Sequence, residues 1–89
     1  MLEQSYPNPF NSTAVINYQL PEAIHLTLNI YNIMGQRIRT LIDASMTAKD
    51  YSITWDGRDS FGNAVASGFY FYQLKAKNSV LTKRMLLLK

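Results

Sequence analysis

The twenty residues from Trp55 to Leu74 constrain the fold of this chain more than any other segment. An alternating strand pattern ends at Trp55, a loop rich in Asp, Gly and Asn follows, and a second, mostly aromatic strand pattern ends at Leu74. No 3.6-residue period fits the segment, so we do not expect a helix there. The loop is too polar to be core, and its residues are typical of ordered turns. The segment therefore predicts two β-strands of an all-β sandwich.

Length and composition predict one domain that is stabilised by packing and strand pairing. The chain has 89 residues, 47% of them hydrophobic, and it contains six Tyr, four Phe, one Trp and no Cys. Such a size is near the lower limit for a single hydrophobic core, and no disulfide supports it. No apolar run approaches the ~20 residues that span a bilayer, so we predict no transmembrane segment. We also expect no signal peptide in this piece.

Apolar and polar residues alternate along most of the chain, which predicts six strands and leaves a seventh open in the first residues. We expect strands over residues 13–20, 24–31, 37–42, 51–55, 69–76 and 80–88. The residues assigned to the core faces are Ala14, Ile16, Tyr18, Leu20, Ile24, Leu26, Leu28, Ile30, Ile38, Ile42, Tyr51, Ile53, Trp55, Tyr70, Tyr72 and Leu74. The arrangement predicted is an immunoglobulin-like sandwich of two antiparallel sheets.

The connections between these strands have their own signals. Residues 1–12 are interpreted as a linker and stiff lead-in, because Pro7 and Pro9 fix φ, and residues 13–89 as the sandwich. Gly35 lies where a hairpin needs a positive φ. Residues 43–49 have no apolar face and are predicted to form a loop, and residues 56–68 are long enough to cross between the sheets.

Charge is distributed unevenly along the chain. Residues 1–60 hold all six acids and four bases, whereas residues 61–89 hold five bases and no acid. One interpretation is that Lys and Arg protect an apolar last strand from edge-to-edge aggregation. The other is a basic face for an acidic partner. No basic stripe with exposed aromatics forms a recognisable nucleic-acid module, so we do not expect nucleic-acid binding.

The sequence offers little for catalysis. His25 is the only His, and it lies in a strand on the face opposite Leu26 and Leu28. There is no His/Cys spacing for zinc and no Gly-rich loop before a helix to bind phosphate. We therefore predict no enzymatic activity and no cofactor.

Oxygen-bearing side chains and aromatics around the 56–68 loop allow two kinds of ligand site. Asp56, Asp59 and Asn63 could contribute to a calcium site, but they fall short of the EF-hand pattern and are interpreted as turn caps. Trp55, with Tyr70 and Tyr72, could stack on a carbohydrate. However, Trp55 falls on the same side of the alternating strand pattern as Tyr51 and Ile53, which favours a position in the core. Phe69 and Phe71 lie on the opposite face and would form an apolar patch if nothing covers them.

Five motifs in order resemble a known family. They cover almost the whole chain, from about Leu2 to Lys89. The sequence is similar to the type A C-terminal sorting domain of the type IX (Por) secretion system, which is related to the immunoglobulin-like domain of the flagellar hook-capping protein. The residues that carry this resemblance are Pro7, Asn8, Pro9, Asn32, Gly35, Trp55, Asp56, Gly57, Asp59, Gly62, Asn63, Gly68 and Tyr70, followed by the terminal segment 83–89.

The resemblance implies a non-catalytic signal at the end of a larger cargo protein. Such a domain is read by an outer-membrane translocon, and a sortase-like peptidase then removes it as the cargo is anchored at the bacterial surface. The expected localisation is secreted or at the cell surface, by way of the periplasm. Cleavage would fall before the Pro-Asn-Pro lead-in.

We place recognition, as a hypothesis, in the last strand, because a terminal apolar strand with basic flanks suits groove docking or strand addition. The residues assigned to it are Lys83, Arg84, Met85, Leu86, Leu87, Leu88 and Lys89. Two alternatives stay open. One is a structural immunoglobulin-like spacer or assembly module, as in hook capping, and the other is a carbohydrate- or calcium-binding sandwich.

Overall fold

The computed structural model describes residues 1–89 and contains six β-strands and no helix. The strands are β1 (Ala14–Gln19), β2 (Ile24–Asn32), β3 (Arg37–Met46), β4 (Asp50–Trp55), β5 (Gly68–Ala76) and β6 (Ser79–Leu87). They form two antiparallel sheets, one of β1 and β4 and one in the order β3-β2-β5-β6. The predicted immunoglobulin-like β-sandwich is confirmed.

The five connections between strands are two hairpins and three crossings. Two hairpins join β2 to β3 and β5 to β6 within the four-stranded sheet, while the links β1–β2, β3–β4 and β4–β5 pass from one sheet to the other. The loop between Trp55 and Gly68 is the longest of these crossings, as expected. In the β2–β3 hairpin, Gly35 has a φ of 78°, a conformation that an L-residue adopts only with strain.

The core lies between the sheets and follows the predicted alternation. The sixteen buried hydrophobic residues are Leu2, Phe10, Ala14, Ile16, Tyr18, Leu20, Leu26, Leu28, Ile30, Ile42, Trp55, Tyr70, Tyr72, Leu74, Met85 and Leu87. Residues of β1, β2 and β5 that were assigned inward are buried, except Ile24, which is half-buried against the core. In β4, Trp55 is fully buried, and Tyr51 and Ile53 pack at the core margin.

The prediction that residues 43–49 form a loop is wrong for the first four of them, because β3 continues to Met46. Its continuation pairs with β2, with Asp43 opposite Thr27 and Ser45 opposite His25. The pairing is polar: His25 Nε2 lies 2.9 Å from Asp43 Oδ1, and Ser45 Oγ lies 3.4 Å from His25 Nδ1. Of the four added residues only Met46, opposite Ile24, packs against the core, so the extension has too few apolar residues for an alternating pattern to reveal it.

Two bulges in the β2–β3 ladder place the two arginines of β3 on different faces of the sheet. The register places Arg39 opposite Ile30 and Arg37 opposite Tyr31, with shifts between Leu28 and Asn29 and between Ile30 and Tyr31. Ile30 is buried, whereas the side chain of Tyr31 is on the other face. The two arginines therefore do not share a face, because a bulge interrupts the period of two.

The lead-in is packed against the sandwich on one side. Leu2 and Phe10 are buried in the core, and Ser5 is 2% exposed. The backbone of Tyr6 exchanges two hydrogen bonds with Val15, and isolated bridges take the place of a continuous seventh strand. The hydroxyl of Tyr72 accepts a 2.7 Å hydrogen bond from the Ser5 amide and donates one of 2.7 Å to the Glu3 carbonyl. Residues from both ends of the chain thus meet at this side.

Candidate functional site

The seven residues assigned to recognition do not form one surface. Met85 and Leu87 are fully buried in the core. Lys83 pairs with the buried Tyr72 and so lies on the inner side of β6, while the intervening residues Arg84 and Leu86 point to the outer side. Leu88 follows the strand and is 49% exposed. The apolar run of the last strand therefore divides between core and surface.

The outer edge of β6 is covered by the lead-in near its end. The amide of Leu86 donates to Asn8 Oδ1 at 3.0 Å, and the Leu86 carbonyl accepts from the Phe10 amide at 2.9 Å. The Leu88 amide donates to the Phe10 carbonyl, and Gln4 Nε2 donates to the Arg84 carbonyl. These bonds explain how an apolar terminal strand can lie at a sheet edge without exposing its backbone. The lead-in therefore protects this part of the strand edge.

The terminal residue is bound to the segment before β5. The Lys89 amide donates to Ser67 Oγ at 3.0 Å, and its ammonium group donates to the Val65 carbonyl. The end of the chain is thus fixed beside the long loop, away from Arg84 and Lys83. The three basic residues of the recognition hypothesis point in different directions.

The carboxylates of the long loop hold turns. Asp56 Oδ1 accepts from the Arg58 amide and from Arg39 Nη1, both at 3.1 Å. Asp59 Oδ1 accepts from the amides of Phe61 and Asn63 at 2.9 and 3.0 Å. The interpretation as turn caps is confirmed for Asp56 and Asp59, whereas Asn63 takes part in the turn through its backbone amide and carbonyl.

The loop is also bound to β3 and lies close to the residues before β1. Ser60 donates to the Ile38 carbonyl through its amide at 3.0 Å and its hydroxyl at 3.1 Å. Gly57 has a φ of 72° and is buried, and a Cβ there would lie 3.4 Å from the carbonyl oxygen of Ser12. The motif Trp55-Asp56-Gly57 therefore builds a rigid connector.

Trp55 is a core residue, as the alternating pattern of residues 51–55 predicted. Its ring is fully buried, lies 5.3 Å from the Tyr70 ring in an edge-to-face arrangement and 5.7 Å from that of Phe10. Its indole Nε1 donates to the Arg58 carbonyl at 2.9 Å. Tyr70 donates a 2.6 Å hydrogen bond to the Ala66 carbonyl, and burial raises its pKa. No face of these rings is open for stacking on a sugar.

The motif around Asn32 and Gly35 builds the tip of the β2–β3 hairpin. Asn32 Oδ1 accepts from the amides of Met34 and Gln36, both at 3.0 Å, and Asn32 Nδ2 donates to Gln36 Oε1. The turn is therefore held by a polar side chain. As a result, Ile33 and Met34 at the tip are 71% and 80% exposed.

Phe69 and Phe71 lie on the outer face of the four-stranded sheet. Phe69 is 42% exposed and Phe71 is half-buried, and the second sheet packs on the opposite face. Arg84 lies over the Phe69 ring with its guanidinium carbon 4.8 Å from the centroid. Tyr31 is opposite Phe71 on β2. Only strand register, which joins residues 31, 71 and 84 in one row, reveals this cluster.

None of the elements is a helix long and apolar enough to cross a membrane.

An antiparallel two-sheet sandwich with these connections defines an immunoglobulin-like domain. The sequence matches the family model described as the FlgD Ig-like domain over residues 6–79. The chain belongs to the FlgD Ig-like domain family. No curated protein matches the sequence.

Three solved structures share the fold. Dimeric latent PorU from Porphyromonas gingivalis aligns with 98% of this chain at a TM-score of 0.76 and 17% identity, and FlgD from P. aeruginosa with 83% at 0.65 and 24%. PorZ from P. gingivalis, described as an essential bacterial surface component of the type-IX secretion system, aligns with 97% at 0.64 and 21%. The chain spans 9% of PorU, 57% of FlgD and 11% of PorZ.

Proposed function

We propose that this domain is a non-catalytic sorting signal that directs a larger cargo protein through the type IX secretion system. The observation that carries the proposal is the match of nearly the whole chain to a small part of two Por proteins. PorU and PorZ align with 98% and 97% of this chain, which amounts to 9% and 11% of theirs. PorZ is itself a surface component of that system. The motifs of the type A sorting domain, from Pro7 to the terminal segment 83–89, point to the same system.

In this role the domain is the signal that identifies the cargo protein for export. The partners are an outer-membrane translocon that reads the folded domain and a sortase-like peptidase that removes it while the cargo is anchored at the cell surface. The packing of the lead-in is consistent with a peptidase that cuts before it. Because Leu2 and Phe10 are buried, a peptidase would cut more readily before the lead-in than within it.

The structure reduces the number of residues in segment 83–89 that could contact a partner while the domain stays folded. Removing residues 85–89 would delete Met85 and Leu87 from the core, so the truncation would test folding together with recognition. Within residues 83–89, Arg84, Leu86 and Leu88 have side chains that can contact a partner without unfolding the domain.

A reporter experiment tests the sorting role. A secreted reporter enzyme is fused upstream of residues 1–89 in a bacterium with a type IX system, and its activity is measured in the medium and on the cell surface. We expect export with the domain and periplasmic retention without it. Retention of the fused reporter, with the domain folded and protease-resistant, would overturn the proposal. A strain lacking the translocon is the control for leakage.

A structural assembly module is the second candidate, and the family match favours it. The FlgD Ig-like model covers residues 6–79, and 57% of FlgD from P. aeruginosa aligns with this chain. A spacer would serve at an internal position, whereas a sorting signal is read at the end of the chain. Placing a second inert domain after Lys89 of the reporter fusion distinguishes them, because only the sorting role should fail.

A further inference from the structure

The outer face of the four-stranded sheet carries one continuous apolar and basic area near the β2–β3 hairpin. We call it the aromatic face and define it by Tyr31, Phe69, Phe71, Arg84 and Leu86. Strand register places Tyr31, Phe71 and Arg84 in one row across β2, β5 and β6, and Phe69 and Leu86 in the next row. Neighbouring strands lie about 4.8 Å apart, so the side chains within each row are in contact range.

Two shallow grooves flank the aromatic face. One, of about 350 Å³, is lined by Tyr31, Phe71 and the hairpin residue Ile33. The other, of about 180 Å³, lies between Pro9 of the lead-in, Phe69 and Leu86. Met34 is 80% exposed at the hairpin tip. The apolar surface thus extends from the hairpin across the sheet to the lead-in.

The composition of this area is typical of a protein-binding surface. Exposed aromatic, Met and Arg side chains are enriched at the centres of protein interfaces, and Lys is depleted there. The rim is polar: the next row across the sheet holds Thr40, Asn29, Gln73 and Thr82. A patch of this kind on a small domain exposes apolar area that folding alone does not require.

Charge identifies the chemistry of the partner. Arg84 lies within the aromatic face and Arg37 lies next to Tyr31 on β3. The acid of this sheet face, Asp43, is two rows away from these arginines, and its carboxylate contacts His25. A second copy of the domain would bring cations against cations, since the chain has a net charge of +3.

We propose that the aromatic face docks on an acidic protein surface that also offers apolar side chains. Phe71 and Tyr31 enter apolar contacts, and Arg84 and Arg37 pair with carboxylates. The partner's role in export rests on the proposed sorting function, whereas the surface itself is argued from this structure alone. Docking leaves the buried inner side of β6 in place, so it requires no unfolding.

Competition measures this docking without identifying the partner. The reporter fusion is expressed together with an excess of the free domain, residues 1–89, in the periplasm. We expect the free domain to lower reporter export, and we expect Phe71→Thr with Arg84→Glu to lose at least about tenfold in that competition, as removal of interface hot spots does. The same substitutions within the fusion should reduce its export.

Two controls on the same sheet face match the variants in chemistry. Lys75→Glu reverses a charge and Val80→Thr replaces an exposed apolar side chain by a polar one, and these two positions lie opposite each other away from the aromatic face. They should compete as the wild type does. Each variant is first checked by thermal unfolding, so that a loss of competition is not a loss of fold.

The outcomes separate the two proposals. Normal export and normal competition by the folded Phe71/Arg84 variant would overturn the aromatic face and leave the sorting function intact. If the wild-type fusion is not exported, the sorting function fails. Crosslinking from benzoylphenylalanine at position 71 to one acidic protein, with no such crosslink from position 80, would still support docking by the aromatic face.

Two further measurements test whether the aromatic face binds a membrane or a second copy of the domain. Binding of the wild-type domain, but not of the variant, to phosphatidylethanolamine–phosphatidylglycerol vesicles would replace the protein partner by a membrane. A dimer in sedimentation that the variant abolishes would replace it by a second copy. Either result would overturn the proposal.

Discussion

The two sides of β6 have similar compositions and different surroundings. On the inner side, Met85 and Leu87 are fully buried between the sheets. On the outer side, Arg84 and Leu86 lie beside Phe69 and Phe71, and only the strand edge is covered by the lead-in. An apolar run in a strand can therefore divide between the core and an exposed face, in alternate residues.

The largest expected effect is on the inner side. Leu87→Ala removes a fully buried side chain and should lower the free energy of unfolding by about 2–5 kcal/mol. Leu88→Ala, one residue further on and 49% exposed, is the matched control and should change it by less than about 0.5 kcal/mol. Urea unfolding measures both values. Equal losses would contradict the division between the two sides.

The junction between the inner side and the lead-in comes next. Tyr72→Phe keeps the ring but removes the hydroxyl that binds the Ser5 amide and the Glu3 carbonyl. Because the Ser5 amide is buried, we expect a loss of about 1–3 kcal/mol in the free energy of unfolding. Tyr6→Phe, on an exposed ring, should have no measurable effect. Indistinguishable variants would show that the Tyr72 hydroxyl contributes nothing to holding the lead-in.

Alkaline pH should weaken the same inner packing. Burial raises the pKa of Tyr18, Tyr70 and Tyr72 above the usual value of 10.0, and in Tyr72 the hydrogen bond with Ser5 opposes part of that rise. The stabilisation is complete below pH 10 and is lost as pH rises through the folded-state pKa values, since the unfolded chain then ionises first. Urea unfolding at pH 8 and pH 11 should show this fall. It should be smaller for Tyr72→Phe, and an unchanged stability at pH 11 would contradict it.

The smallest effect is expected on the outer side. Arg84→Gln removes the cation above the Phe69 ring and should lower the free energy of unfolding by about 0.5–1 kcal/mol. Phe69→Leu in the Arg84→Gln background should then add little, because the two residues act as a pair. A double-mutant cycle by thermal unfolding gives the coupling. A loss as large as that of Leu87→Ala would show that the outer side is also structural.

Much of the fold could be predicted because strand periodicity is local. The alternation in β1, β2 and β5 identified the buried residues, and the turn chemistry of Gly35 and Asp59 identified connections. The end of β3 was missed because only Met46 among its last four residues packs against the core, which leaves no alternation to read. Burial of Phe10 was missed because its backbone partners, Leu86 and Leu88, lie almost the whole chain away.

The candidate site was harder to predict for a related reason. The last strand was treated as one apolar unit, since four consecutive hydrophobic residues give no alternation to read. Strand register assigns those residues to two sides, and it joins Tyr31 to Phe71 and Arg84 from three different strands. Register depends on pairing between distant segments, which a single sequence does not display.

The packing of the lead-in also determines how the domain would respond to tension. Met1 lies beside the β5–β6 turn at Lys77, whereas Lys89 lies beside Val65 at the opposite end of β6. A pull between the two termini would therefore act along the strands, and the hydrogen bonds of Tyr6 and Phe10 would carry the load together in shear. Strands pulled in this direction separate only when several bonds break at once.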